Sequence, residues 1–281
     1  MRTRILTGLV GIPIILFCIF GPWFMTCFFA FALMAILNLE LAQMAAHGGL
    51  ISSDSPSDAK AKGNGAKAGN TQLVLVLAMI NMLLFFAAYL FLSKDMGLLF
   101  VLMSALIMIE TVFSFPRLDL RKMVYLMFMA VYANWLPMHM LGIRLLDNGA
   151  WLLLSVFIMV WVCDSGAYFS GRFFGKHKMS PQLSPKKTVE GAIGGVLLTI
   201  LAAFIVNHFV TIATAWWAVT VLALLAAIGA IVGDLFESYL KRSFGVKDSG
   251  NILPGHGGFA DRFDSFIMVA PLALCYFQLA L

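Results

Sequence analysis

Apolar stretches of about 20 residues recur from one end of the chain to the other, each long enough to cross a hydrocarbon core of about 30 Å. Hydrophobic residues make up 61% of the 281 positions and charged residues only 12%, against roughly 45–50% apolar in soluble proteins. The sequence therefore predicts an all-α fold, a polytopic integral membrane protein with nine transmembrane helices. Their expected limits are about 5–21, 24–45, 72–92, 96–115, 123–143, 149–170, 189–210, 213–236 and 263–280.

The basic residues orient this stack. With the N-terminus cytoplasmic, only Lys94 and Arg144 of the 19 Lys and Arg fall on the outer side, a strong positive-inside bias. The C-terminus is then outside, and a bacterial cytoplasmic (inner) membrane is the expected location. The +5 charge needs no nucleic-acid partner, because these residues report topology first. The start, MRTR before ILTGLVGIPIILFCIF, imitates a signal peptide with an Ala30-Phe31-Ala32 cleavage triplet. That triplet lies inside a second apolar run, so an uncleaved first span is expected. Cys18, Cys27, Cys163 and Cys275 all sit in apolar segments without a CxxC pair, which predicts buried thiols rather than disulfides or metal ligands.

Two regions follow. Residues 1–150 hold helices one to five with a linker at 47–71, where ISSDSPSDAKAKGNGAKAGN reads as a flexible cytoplasmic tether. Residues 151–281 hold helices six to nine with cytoplasmic loops 171–188 and 241–262 and carry the candidate chemistry.

A carboxylate at membrane depth is costly unless it is paired or metal-bound. Six stand out: Glu40, Glu110, Asp164, Glu190, Asp234 and Glu237. In GDLFESYLKR, Asp234, Glu237, Ser238 and Lys241 share one helix face by i, i+3, i+4, i+7 spacing. A Glu237–Lys241 ion pair would explain part of that stripe and leaves Asp234, one turn deeper, unexplained. Asp164 lies at similar depth on another helix, and the two would repel without a cation between them. No histidine or cysteine cluster accompanies them, so oxygen-only ligation points to Mg²⁺ or another hard cation. Glu40 and Glu110 have no partner legible in sequence, and Asn81, Asn134 and His139 read as helix–helix hydrogen-bonding groups.

Between the last two apolar segments runs KRSFGVKDSGNILPGHGGFADRFD, residues 241–264. It gathers Lys241, Arg242, Lys247, Asp248, His256, Asp261, Arg262 and Asp264. The turn Pro254-Gly255-His256-Gly257-Gly258 leads into a helix N-terminus, a favourable place for an anion. Together these groups point to metal-bridged polyphosphate. In SPKKTVEG, Ser184 reads as an N-cap and Pro185 as the first helical residue. Lys186 and Lys187 then fall in a first turn, where the helix dipole disfavours cations. Membrane-surface anchoring and bound phosphate both account for that placement. The expected substrate is a nucleotide or polyphosphate from the cytosol, reacting with something held in the bilayer.

The run S-Y-L-K-R-x4-K-D-S-G-N-I-L-P-G-H-G-G-F-A-D-R-F-D, Ser238 to Asp264, resembles the signature of the phosphatidate cytidylyltransferase (CDP-diglyceride synthetase) family. D-S-G-A-Y-F-S-G-R-x-F-G-K (164–176) and S-P-K-K-T-V-E-G (184–191) resemble its middle region. The resemblance covers about residues 155–270 and implies that CTP and phosphatidic acid react, with Mg²⁺, to CDP-diacylglycerol and diphosphate. It implies Asp234 and Asp261 as metal ligands, with Asp164 and Asp264 contributing, a second cation included. Lys187, Lys241, Arg242, Lys247 and Arg262 would hold the phosphates of CTP and lipid. Ser184, Thr188, Ser238 and His256 would add neutral hydrogen bonds, with Asp248, Gly257 and Gly258 in the same substrate loop. A CTP-dependent polyprenol kinase, an isoprenoid-lipid cytidylyltransferase and a cation-coupled transporter are the competing readings. Short, nearly uncharged outer loops weigh against transport. Oligomeric state is open, and a homodimer is compatible with the sequence.

Overall fold

A computed structural model describes residues 2–51, 65–92, 94–250, 252 and 257–280, with side chains from Val10 onward in the first helix and from Thr71 onward in the third. The helices are α1 (Arg2–Phe20), α2 (Trp23–His47), α3 (Gly65–Phe91), α4 (Met96–Phe113), α5 (Leu120–Met129), α6 (Leu136–Arg144), α7 (Gly149–Phe174), α8 (Val189–Val210), α9 (Trp216–Ser243) and α10 (Ala260–Ala280). A π-helical stretch, Ala130–Trp135, joins α5 to α6, making one rod from Leu120 to Arg144. Counting that rod once, eight helices among the described residues are long and apolar enough to cross a membrane. In α1, the described apolar part, Val10–Phe20, is shorter.

The all-α expectation holds, with one small exception. Strands β1 (Lys178–Ser180) and β2 (Ser184–Thr188) pair antiparallel, Ser184 opposite Ser180 and Thr188 opposite Lys178. This corrects the expected start of α8. Ser184 is not an N-cap, and Lys186 and Lys187 are strand residues rather than first-turn residues. Thr188 is the cap instead, its Oγ1 accepting from Gly191 N at 3.2 Å, and the helix begins at Val189. A β-branched Thr in extended backbone suits both strand end and cap.

Helix ends also run past the apolar windows. α3 starts at Gly65, α7 continues to Phe174 and α9 to Ser243. Polar residues such as Lys241 and Arg242 end a hydrophobic run without ending helical backbone, because Lys and Arg are good helix formers. Residues 52–64 of the expected linker lie outside the described residues. All four cysteines are free; Cys275, expected to be buried, is exposed on α10.

The chain divides into two compact units. The first comprises Met1–Ala30, Pro137–Leu240 and Asp261–Leu281, and the second Phe31–Leu136 and Lys241–Ala260. In the first unit, α7 and α8 cross at glycines. A Cβ on Gly191 would lie 2.7 Å from Ala167 O, and one on Gly195 3.0 Å from Cys163 O. Small residues at this spacing let helix backbones approach closely. On α9, Gly233 gives similar access to α10, where a Cβ would meet Asp264 O at 2.5 Å. Phe157 and Phe266 stack at 4.1 Å between ring centroids, joining α7 to α10.

In the second unit, polar groups pair inside apolar surroundings. Asn81 Nδ2 donates to Glu110 Oε2 at 2.8 Å, tying α3 to α4. Asn38 Nδ2 donates to Asn134 Oδ1 at 2.6 Å, and Tyr125 OH to Leu41 O at 2.6 Å. Glu110, without a partner legible in sequence, is thus served by Asn81, whose reading as a helix–helix hydrogen-bonding group holds.

Candidate active site

The first unit holds an open cavity of about 690 Å³, within the roughly 300–1,000 Å³ usual for small-molecule sites. Its walls come from the C-terminal halves of α7 and α9 and the N-terminal turns of α8 and α10, with β2 along one edge. Alternating helix direction brings these four ends together, so residues distant in sequence meet at one level.

Four aspartates line it: Asp164 from α7, Asp234 from α9, and Asp261 and Asp264 from α10. Lys186, Lys187, Arg172 and Arg262 line it too, setting four cations among the four carboxylates. Lys187 Nζ lies 2.6 Å from Asp234 Oδ2. That nitrogen is buried and has no hydrogen-bond partner beyond this ion pair. Lys186, Lys187 and Thr188, the last three residues of β2, all line the cavity, with Lys186 exposed and Lys187 half-buried.

Ser265 Oγ links two walls, lying 3.4 Å from Asp164 Oδ1 and 3.2 Å from Ala230 O. Asp264 is buried, with its Oδ1 accepting from Ser265 N at 2.7 Å. At the rim, Arg172 Nη1 donates to Tyr168 OH at 3.1 Å, one helical turn apart on α7. Glu190, at the start of α8, secures the approach to the hairpin. Its Oε2 accepts from Lys176 N at 3.0 Å and its Oε1 lies 2.6 Å from His177 Nδ1.

Of the residues expected from sequence, Asp164, Lys187, Thr188, Asp234, Asp261, Arg262 and Asp264 therefore share one cavity. Ser184 opens β2 and Ser238 is buried in α9; neither is among the lining residues. Lys241, Arg242, Lys247, Asp248, Gly257 and Gly258 belong to the second unit. There Lys247 and Asp248 are exposed, Arg242 Nη1 donates to Val246 O at 3.2 Å, and Gly257 has φ +80°. His256 lies outside the described residues. Arg172 entered the sequence reading only as a topology marker, and Lys186 only beside Lys187; both are cavity residues. Their signal was membership in the 164–176 and 184–191 motifs.

Among the described residues, no three acidic, histidine or cysteine side chains are close enough to hold a metal ion together. The donor type nonetheless fits a hard divalent cation, since carboxylate oxygens from three helices face one cavity.

The cavity thus gathers acidic and basic side chains at the ends of four helices, each long and apolar enough to cross a membrane. The sequence profile of the cytidylyltransferase family matches residues 2–280, and the chain belongs to that family. Curated relatives include phosphatidate cytidylyltransferases of Staphylococcus saprophyticus and Staphylococcus epidermidis, each 40% identical over 172 residues, and one of Staphylococcus aureus, 39% identical over the same length. Each match covers 61% of this chain and 65% of the relative's own length.

Proposed function

We propose that the protein is a phosphatidate cytidylyltransferase, converting CTP and phosphatidic acid to CDP-diacylglycerol and diphosphate at the cytoplasmic face of the membrane. The observation that carries this reading is the cavity itself: four aspartates and four cations from α7, β2, α9 and α10, in a chain of the cytidylyltransferase family. The names of the staphylococcal relatives support the lipid substrate. The positive-inside count supports the cytoplasmic face.

The chemistry needs positioning more than covalent help. A phosphate oxygen of phosphatidic acid attacks the α-phosphorus of CTP and forms a new P–O bond. The bond from that phosphorus to the bridging oxygen breaks, and its electron pair leaves with diphosphate. The nucleophile is already anionic near neutral pH, so no strong general base is required. Asp234 and Asp261 would hold Mg²⁺, with Asp164 and Asp264 contributing to a second cation, and such cations when bound neutralise triphosphate charge. Lys187 and Arg262 face those aspartates and can bind phosphate oxygens as charge builds on them. Lys186 and Arg172 extend the basic wall toward the rim, where a lipid phosphate would arrive.

CTP labelled at the α-phosphorus tests the reaction on purified protein with phosphatidic acid. Label entering the lipid, with loss of the reaction in chelator and recovery with Mg²⁺, is the expected result. Entry of γ-label alone would identify a kinase and overturn the assignment.

A further inference from the structure

Glu40, on α2 in the second unit, is fully buried. Its carboxylate accepts from residues far along the chain. Oε1 accepts from Phe259 N at 2.7 Å, and Oε2 accepts from Ala260 N at 2.8 Å and from Ser249 Oγ at 3.0 Å. Two glycines are shaped around it. A Cβ on Gly250 would lie 2.7 Å from Glu40 Oε1. One on Gly258 would lie 2.8 Å from the same oxygen and overlap Ser249 Oγ. A buried carboxylate persists only where its lone pairs are filled, and here the polar segment before α10 fills them.

This arrangement changes the meaning of that segment. Phe259 N and Ala260 N stand at the start of α10, where unfilled N–H groups and the helix dipole favour an anion. From sequence, the glycines here read as a phosphate grip. In the structure an internal carboxylate already takes those donors. Gly250 and Gly258 are glycines because the backbone must close on Glu40.

We propose that Glu40 is a positioning residue for nucleotidyl transfer, an internal anion that fixes Ser249, Phe259 and Ala260 and with them the start of α10. Asp261 and Arg262 follow Ala260 directly in the helix, so the register set at Ala260 N is the register in which they present their side chains. Segment 241–260 is also packed within the second unit at a second place, where Gly48 lies against Phe244 and Tyr125 meets Phe244 edge-on at 5.9 Å. Glu40 governs the end of the segment nearest Asp261.

The kinetic part of this inference rests on the proposed reaction; the structural part does not. The test uses the full-length protein in lipid nanodiscs, with Glu40→Gln, Ser249→Ala and Gly250→Ala. Gln keeps the size of Glu but turns an NH₂ donor toward donors. Backbone hydrogen exchange at Phe259 and Ala260 is expected to speed up about tenfold in Glu40→Gln, the equivalent of one lost hydrogen bond. Later α10 amides should not change. kcat is expected to fall about 10- to 100-fold, as for a small misplacement of catalytic groups, with little change in KM for CTP. Faster exchange with an unchanged kcat would overturn the positioning role, and unchanged exchange would overturn the clamp. Should Glu40→Gln fail to fold, Ser249→Ala and Gly250→Ala decide: the same joint signature upholds the inference, and wild-type behaviour in both overturns it. In a wild type that forms no CDP-diacylglycerol, the proposed reaction falls, and the exchange measurement alone still decides whether Glu40 holds the segment.

Discussion

Lys187 Nζ lies 2.6 Å from Asp234 Oδ2, joining the strand before α8 to the C-terminal half of α9. Both side chains keep contact with solvent, at 22% and 38% exposure. Lys187 Nζ itself is buried while the Asp234 side chain stays open to the cavity, and a partly exposed ion pair contributes only about 0–1 kcal/mol to stability, so the pair is better explained by what enters the cavity. A lysine held against an aspartate can turn to a phosphate once a metal ion takes the aspartate. Lys187→Ala is therefore expected to lower CDP-diacylglycerol formation about 100-fold or more, in the range seen for lost transition-state donors. Its thermal midpoint should shift by only a few degrees, as about 1 kcal/mol allows. A large drop in midpoint with normal specific activity would show that the pair is structural.

Asp261 enters the cavity from the first turn of α10, opposite the α7 and α9 aspartates. Asn keeps its shape and removes its charge, so the proposed metal ligand would be lost without a packing defect. Asp261→Asn is expected to abolish turnover while leaving the detergent-solubilised protein monodisperse, and excess Mg²⁺ should not restore it. Near-normal activity would remove Asp261 from the metal-binding set.

The spans were legible because crossing hydrocarbon demands some twenty apolar residues in a row, a local property. Asp164 and Asp234 were legible for a related reason: a carboxylate at that depth needs a partner. What the partner is was not legible. Lys187 was expected on a helix near bound phosphate, yet it sits on a strand against Asp234. The hairpin was missed because Ser184-Pro185 imitates a helix start, while pairing with Lys178–Ser180 is a tertiary choice. Glu40 stood out by its depth alone, with no local sign of its partners. Its donors lie 209 to 220 residues away, and only the folded second unit brings them to it.

The α7–α8 crossing sets where Thr188 and Lys187 meet the cavity, so its tightness can be tested by stability alone. A Cβ on Gly191 would meet a backbone oxygen, Ala167 O, at 2.7 Å and Thr188 Oγ1 at 3.0 Å. The backbone oxygen cannot yield without moving a helix. Gly191→Ala is expected to cost about 1–3 kcal/mol, as overpacking usually does, and to lower the thermal midpoint by several degrees. Gly11→Ala is the control, since a Cβ there meets nothing within 4 Å. Equal midpoints for the two variants would show that α7 and α8 can separate freely.

Asn81 and Glu110 form a polar pair between α3 and α4, with Asn81 Nδ2 donating to Glu110 Oε2 at 2.8 Å. Asn81 Oδ1 is buried without a hydrogen-bond partner, so the pair is only partly satisfied. Removing one member leaves the other without its donor or acceptor, whereas removing both leaves two apolar surfaces that can pack. Asn81→Leu is therefore expected to destabilise by about 0.6–2 kcal/mol, the span measured for polar contacts between membrane helices. The double variant Asn81→Leu/Glu110→Leu should recover most of that loss. Thermal midpoints of the two single variants and the double variant, read as a double-mutant cycle, check this directly. Additive losses would mean that the two side chains act independently and that the α3–α4 contact is held by apolar packing alone.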